Sequence, residues 1–593
     1  MRDSRADDFR VALTGRLIFL LVGSVLLAAY PAAAQQTAPT ETAPPADAPP
    51  DAAATPAPAP AQAPAPATPA SMTPAPAAAT PEPPPPPPPP PPDNSIQVMP
   101  LPPVDASWIG TMSKDKGGFP RDMWNGTARA VAAADLPRLQ PVSSPVLQDL
   151  TGRLLLTDAA SPQGSSAPGG ASLIELRLDR LIALGYVEPA LALLAILPDT
   201  MTSETTGRDG VELRFADNDA AGACDDVNAK ILRYQGVWWD RALIACQALA
   251  GDSAKAALGQ SLLADQKAAR DPGFDALIAR LGGSRAPIAS LNDPDPMKFA
   301  LLAAAKQKLP QDALANADLA SLRFWALNAK LPPEQRLAAA ERAALYGAIS
   351  PDDLASLYGQ IPATPAGVAA VLKAKKPPSE PRARALLYQI ARDAEDQAQR
   401  RIAITALLAD AKQRGALPET APLLAAAVGG VTIDGSTSDF AADAARVLLA
   451  AGLPDKSLPW IDAAKSKALA LLARWAMGGK SQPGDAQLLT DVLAELAARD
   501  PASAPRQADL VNAINGALGA PVLSAATAPA GQKMMAGQSL GETVLTLRLA
   551  CASGDKLTSD PAALAQAVAA LHEAGLDAAS RRLAVEAALD AGF

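Results

Sequence analysis

Histidine occurs once in 593 residues, at His572, cysteine three times, and aromatic residues supply only 4% of the chain. A single imidazole excludes most histidine-based metal sites and catalytic triads. Basic residues are also in deficit: 52 Lys and Arg stand against 61 Asp and Glu, a net charge of −9. That balance gives no electrostatic footprint for nucleic acid or for an anionic membrane surface. With aromatics so few, alanine fills the 49% hydrophobic share. Alanine is the best helix former and a poor strand former, which disfavours a β-sandwich or propeller. Leucine stays frequent and only 19% of residues are charged, which argues against disorder throughout.

The first segment reads as an address. Arg2, Arg5, Arg10 and Arg16 precede an apolar run from Leu17 to Tyr30, followed by Pro31 and Ala32-Ala33-Ala34-Gln35. A basic start, a short apolar centre and an Ala-x-Ala end are the parts of a secretory signal peptide, residues 1–34. The apolar run is shorter than the roughly 20 residues that span a bilayer. The alternative is an uncleaved anchor in the inner membrane, with Pro31 and the alanines extending the span. The expected location is the periplasm.

Residues 35–103 are rich in Ala, Pro and Thr, with unbroken proline from Pro83 to Pro92. Proline donates no backbone N–H and fixes φ, so this stretch predicts a disordered, extended arm of polyproline II character. Such a spacer could set a folded body away from a membrane or near the cell wall. Its Ala-Thr-Pro composition superficially resembles antifreeze glycopeptides, but the regular Ala-Ala-Thr tripeptide is missing and ice binding is rejected.

From residue 104 onward, alanine- and leucine-rich segments alternate with short breaks holding Gly, Pro or Asp. Leu173, Leu176, Leu178, Leu181 and Ile182 recur at helical spacing, with Glu175, Arg177, Asp179 and Arg180 between them. Ser350-Pro351-Asp352-Asp353 and Asp560-Pro561 read as helix entrances, and Gly185, Gly415 and Gly575 as exits. Residues 104–170 form a distinct segment, read as an N-terminal cap packed by Trp108, Phe119 and Trp124, with a helix from Pro145 to Ala160 and a mobile loop at 161–170. Residues 171–593 are expected to form the helical repeat domain.

One local pattern recurs. Gly185 is followed five positions later by Ala190, Gly251 by Ala256, Gly452 by Ser457 and Gly575 by Ser580. A glycine turn and a small residue for close helix approach resemble the turn of tetratricopeptide repeats, without the regular 34-residue period. The resemblance implies an all-α fold, an irregular α-solenoid of stacked helical hairpins.

Cys224 and Cys246 lie equidistant from Gln235, at the break between two helical segments. Positions equidistant from a hairpin turn face each other, which predicts a disulfide between them in an oxidising compartment. The alternative is a pair of buried free thiols. Cys551 has no evident partner and reads as a core residue. Trp238 and Trp239 open the helix after Gly236, as core anchors or as a partner-binding surface.

Three motifs look chemical. Gly537-Gln538-Ser539-Leu540-Gly541 matches the G-x-S-x-G nucleophile elbow, and Asp555, Asp560 and His572 follow in hydrolase order. No strand precedes it, however, and Ser539 with Glu542 reads better as a capping box. Gly478-Gly479-Lys480-Ser481 is similar to the end of a P-loop, but Arg474 stands where the first glycine belongs. Ser553-Gly-Asp-Lys556 matches S-x-x-K without a K-T-G companion. No catalytic, cofactor-binding or metal-ligating residue is therefore expected. The reading is a non-enzymatic periplasmic scaffold or adaptor that binds a protein partner through a helical surface. It predicts no nucleic-acid partner and no integral membrane domain once the signal is cleaved. A cell-wall or ester hydrolase and a passive wall-spanning protein are the alternatives.

Overall fold

Helix entrances follow the capping chemistry of the sequence. Ser350 accepts from the backbone N–H of Asp353, whose carboxylate takes the Ser350 N–H in return, a full capping box at the start of the helix Pro351–Gly359. Asp560 caps Pro561–Glu573 through the N–H of Ala562. Such caps satisfy N–H groups that the first helical turn leaves without intrahelical partners. The computed structural model describes residues 106–165, 170–478, 484–519 and 538–593. The expected signal segment 1–34 and proline arm 35–103 lie outside the described residues, which all fall within one compact unit, Val98–Phe593.

This unit is built from α-helices, twenty-six among the described residues, with one two-residue hairpin pairing Ala552–Ser553 with Lys556–Leu557. Neighbouring helices pack in chain order: Glu204–Ala216 on Ala220–Lys230, Val237–Leu249 on Ser253–Asp265, Pro381–Asp393 on Gln397–Arg414, and Ser438–Ala450 on Pro454–Ala464. Among the described residues, no helix is long and apolar enough to cross a membrane.

All four glycine turns singled out in the sequence behave alike. Gly185, Gly251, Gly452 and Gly575 have φ between 72° and 82°, the left-handed conformation that glycine adopts without steric cost. The small residue five positions on is fully buried in each: Ala190, Ala256, Ser457 and Ser580. At Gly185 the approach is especially close, since a Cβ there would lie 2.5 Å from Ala348 Cβ and 2.9 Å from Leu319 Cβ. The two buried serines return their hydroxyls to backbone carbonyls, Ser457 to Pro454 and Ser580 to Val568.

The N-terminal segment meets both ends of the helical series. Pro145–Leu156 packs on Leu173–Ala183 and also on Leu540–Ala550 and Asp577–Asp590. The Ser143 N–H donates to Asp555 O at 2.8 Å, and Gly541 N–H to Met123 O at 2.7 Å. Gln148 reaches the middle of the chain, donating to Leu345 O at 3.2 Å.

Three details of the segment 104–170 differ from expectation. Phe119 and Trp124 are buried but Trp108 is 43% exposed, so it does not anchor the segment. The helix stops at Leu156, where the Thr157 hydroxyl accepts from the Phe119 N–H and the backbone turns extended. Gln163, expected in a mobile loop, is tied by Arg129 N–H to its carbonyl and by its own N–H to Thr127 O. Arg177 also departs from its polar placement. It is buried, and its guanidinium donates to the carbonyls of Leu155, Ser107 and Ile109 at 2.7, 3.0 and 2.8 Å. The hydropathy pattern assigned it to the solvent face because it carries charge, whereas its backbone partners come from residues distant in sequence. Burial pushes its pKa down to about 10.

Candidate functional site: a cavity where the chain ends meet

A cavity of about 240 Å³ opens where the last helix, Asp577–Asp590, meets three helix starts. Pro145, Pro418 and Pro454 mark those starts, each in the first turn, where its missing N–H costs nothing. Val146, Leu417, Leu449, Val585 and Leu589 supply apolar walls. Two helix ends, at Ala450 and Ala476, complete the lining.

The charged groups of the cavity all come from one helix, spaced so that they share a face: Arg581, Arg582, Glu586 and Asp590. Glu586 accepts from the Ser144 hydroxyl and the Val146 N–H, at the start of the Pro145–Leu156 helix. It lines the cavity, and burial pushes its pKa up to about 8 against the weaker pull of its hydrogen bonds and of Arg582. Asp590 has Lys556 as its nearby counter-charge. Arg581 lies against the end of the Lys467–Met477 helix, its Nη1 2.7 Å from where a Gly478 Cβ would stand.

The disulfide forms as predicted: Cys224 and Cys246 are bonded, with Cα atoms 5.5 Å apart, across the hairpin of Ala220–Lys230 and Val237–Leu249. Cys551 is free and buried, and burial pushes its thiol pKa up to about 12. Beside the disulfide hairpin, Trp239 is fully buried, stacks on Tyr234 and donates to Glu204. Trp238 is half-buried, set edge-on to Trp239, with the Arg208 guanidinium over its ring at 4.9 Å.

The hydrolase-like residues do not converge. Ser539 caps Leu540–Ala550, accepting from the Glu542 N–H, and its hydroxyl lies 2.5 Å from Thr127 Oγ1. Glu542 accepts from Thr127 at 3.0 Å, so it is engaged with the N-terminal segment. Gly537 lies outside the described residues. His572 is exposed near the end of its helix, its Nδ1 2.5 Å from Asp577, and Asp555 accepts from the Tyr346 hydroxyl at 2.6 Å. Ser553 and Lys556 of the S-x-x-K match are simply paired across the short hairpin. Gly478 ends a helix in the left-handed conformation, and residues 479–483 lie outside the described set.

A second charged cluster is largely internal, with Arg414 half-buried at its edge. Arg384 forks onto Glu341 at 2.8 and 2.6 Å, and Tyr358 donates to the same carboxylate at 2.7 Å. Asp410 lies 3.5 Å from Arg384 and accepts from Arg414 at 2.8 Å, and Arg414 also reaches Glu419. Three acids thus face two arginines. Burial pushes Glu419 up to about 8. Sequence reasoning missed it, although Arg384 sits among the apolar residues Leu387, Tyr388 and Ala391 of an amphipathic helix, a visible signal of a buried charge.

Among the described residues, no group of three or more His, Cys, Asp or Glu side chains is arranged to hold a metal ion. No protein-family model, curated protein or solved structure matches the chain.

Proposed function

We propose that this protein is a non-enzymatic scaffold or adaptor of the periplasm, an irregular tetratricopeptide-like solenoid that binds a protein partner through its helical surface. The observation that carries the reading is the repeated turn: four glycines in the same left-handed conformation, each followed five residues later by a fully buried small residue. Stacked hairpins of this kind create extended binding surfaces without a catalytic constellation. The Cys224–Cys246 bridge supports an oxidising compartment, consistent with the basic and apolar residues at the start of the chain. The proline-rich segment serves in this reading as a spacer near the cell wall.

Affinity capture from periplasm, with and without residues 37–103, tests the assignment. A specific partner retained without that segment is the expected result, because binding lies on the helices. The double variant Ser539→Ala, His572→Ala provides the counter-test, since loss of the cellular phenotype from a folded double variant would restore the hydrolase reading.

A further inference from the structure

The cavity beside the last helix has an apolar interior and one cation unpartnered among the described residues. Its two acids already have partners: Glu586 accepts from Ser144 and Val146, and Asp590 faces Lys556. Arg582 faces Glu586, one helical turn away. Arg581 completes no ion pair or hydrogen bond among the described residues, and it lines the same cavity. Of the two guanidiniums and two carboxyls that line the cavity, only Arg581 is left without a described partner, so its uncommitted charge is a cation. Three helix starts and two helix ends border the cavity, so their opposed dipoles leave the sign to the side chains.

Apolar walls with a cation at one side match an amphiphile, whose body is driven in by burial while its head group meets a guanidinium. Arginine suits a planar carboxylate in particular, because its N–H groups can engage both oxygens. The volume is below the roughly 300 Å³ at which drug-sized sites begin, which limits the occupant to a small molecule. We propose that this cavity is a binding site for an aliphatic monocarboxylate, its chain against Val146, Leu449, Val585 and Leu589 and its carboxylate on Arg581. This small-molecule site is separate from the helical surface of the adaptor reading and stands or falls apart from it.

Isothermal titration of the purified full chain with octanoate tests the site, with octanol and octyltrimethylammonium as head-group controls. Octanoate is expected to saturate at one equivalent and to bind at least about tenfold more tightly than octanol, the gain of one charge-assisted contact. Arg581→Ala should remove that advantage and leave octanol binding unchanged, with an unaltered melting temperature showing that the fold is intact. Val585→Trp should abolish binding of both by filling the cavity. Absence of saturable binding, equal affinity for octanoate and the cation, or an Arg581→Ala protein that keeps the octanoate preference would each overturn the proposal.

Discussion

Arg548 and Thr151, 397 positions apart in the chain, share a hydrogen bond of 3.0 Å between the guanidinium Nε and the threonine hydroxyl. Arg548 is 1% exposed and also donates to Gln140 O at 2.5 Å. Burial pushes its pKa down to about 10, with no carboxylate among its hydrogen-bond partners to offset the cost. The contact holds the last helices to the N-terminal segment.

Replacing Arg548 by Ala should therefore destabilise the protein by about 2–4 kcal/mol, because a large buried side chain is lost and Thr151 and Gln140 lose a partner. Chemical denaturation followed by circular dichroism reads the loss. Arg548→Lys should recover less than half of it, since a single ammonium cannot reproduce the fork that spans both acceptors.

The disulfide makes a simple count decisive. Denatured, unreduced protein should show one reactive thiol, from Cys551. Cys224→Ala should cost about 3 kcal/mol, the loop-closure contribution for a separation of this length. Three thiols in the unreduced protein would contradict the bridge.

Asp209 and Glu419 are buried carboxyls whose pKa values are pushed up to about 8 by desolvation. A raised carboxyl pKa means that the folded state holds its proton more tightly than the unfolded state. The contribution is fully present below the unfolded-state value near 4, and is lost as pH rises through about 8. Stability measured by urea denaturation should fall between about pH 4 and pH 8 and level off above that. Asp209→Asn should flatten part of that fall, since an amide cannot ionise. A slope unchanged by Asp209→Asn would assign the pH dependence elsewhere.

The Arg384 cluster predicts an asymmetric response. Arg384→Met should cost about 3–5 kcal/mol, because Glu341 remains buried without its cation while Asp410 keeps only Arg414. Glu419→Gln should cost much less, because burial raises the Glu419 pKa to about 8 and so already disfavours its charged form. Thermal melts of the two variants side by side check the contrast.

Local chemistry was readable in the sequence because its partners are local. Ser350 with Asp353, Asp560 with Ala562, and the four glycine turns act over three to five residues, within reach of a spacing rule. Cys224 and Cys246 could be paired because one hairpin break separates them symmetrically. Arg177 and Arg548 were not legible as interior residues, since what permits their burial are carbonyls and a hydroxyl 22 to 408 positions away. Ser539 was read correctly as a cap, but the return bond of Glu542 was not made. Thr127, 415 positions earlier in the chain, captured that carboxylate instead. The cavity was illegible for the same reason: Pro145 was recognisable as a helix start, but not as a neighbour of Pro418 and Pro454.

The packing of Pro145–Leu156 between the first and last helices bears on how the molecule comes apart. An open helical array can fray from either end, one repeat at a time, with each step governed by its nearest neighbour. Here the outermost helices share a partner, so loosening one end exposes the inner face of the other. Amide exchange in Leu173–Ala183 and Asp577–Asp590 is accordingly expected to be coupled, and mechanical pulling that detaches residues 106–160 would weaken helices more than 400 positions downstream.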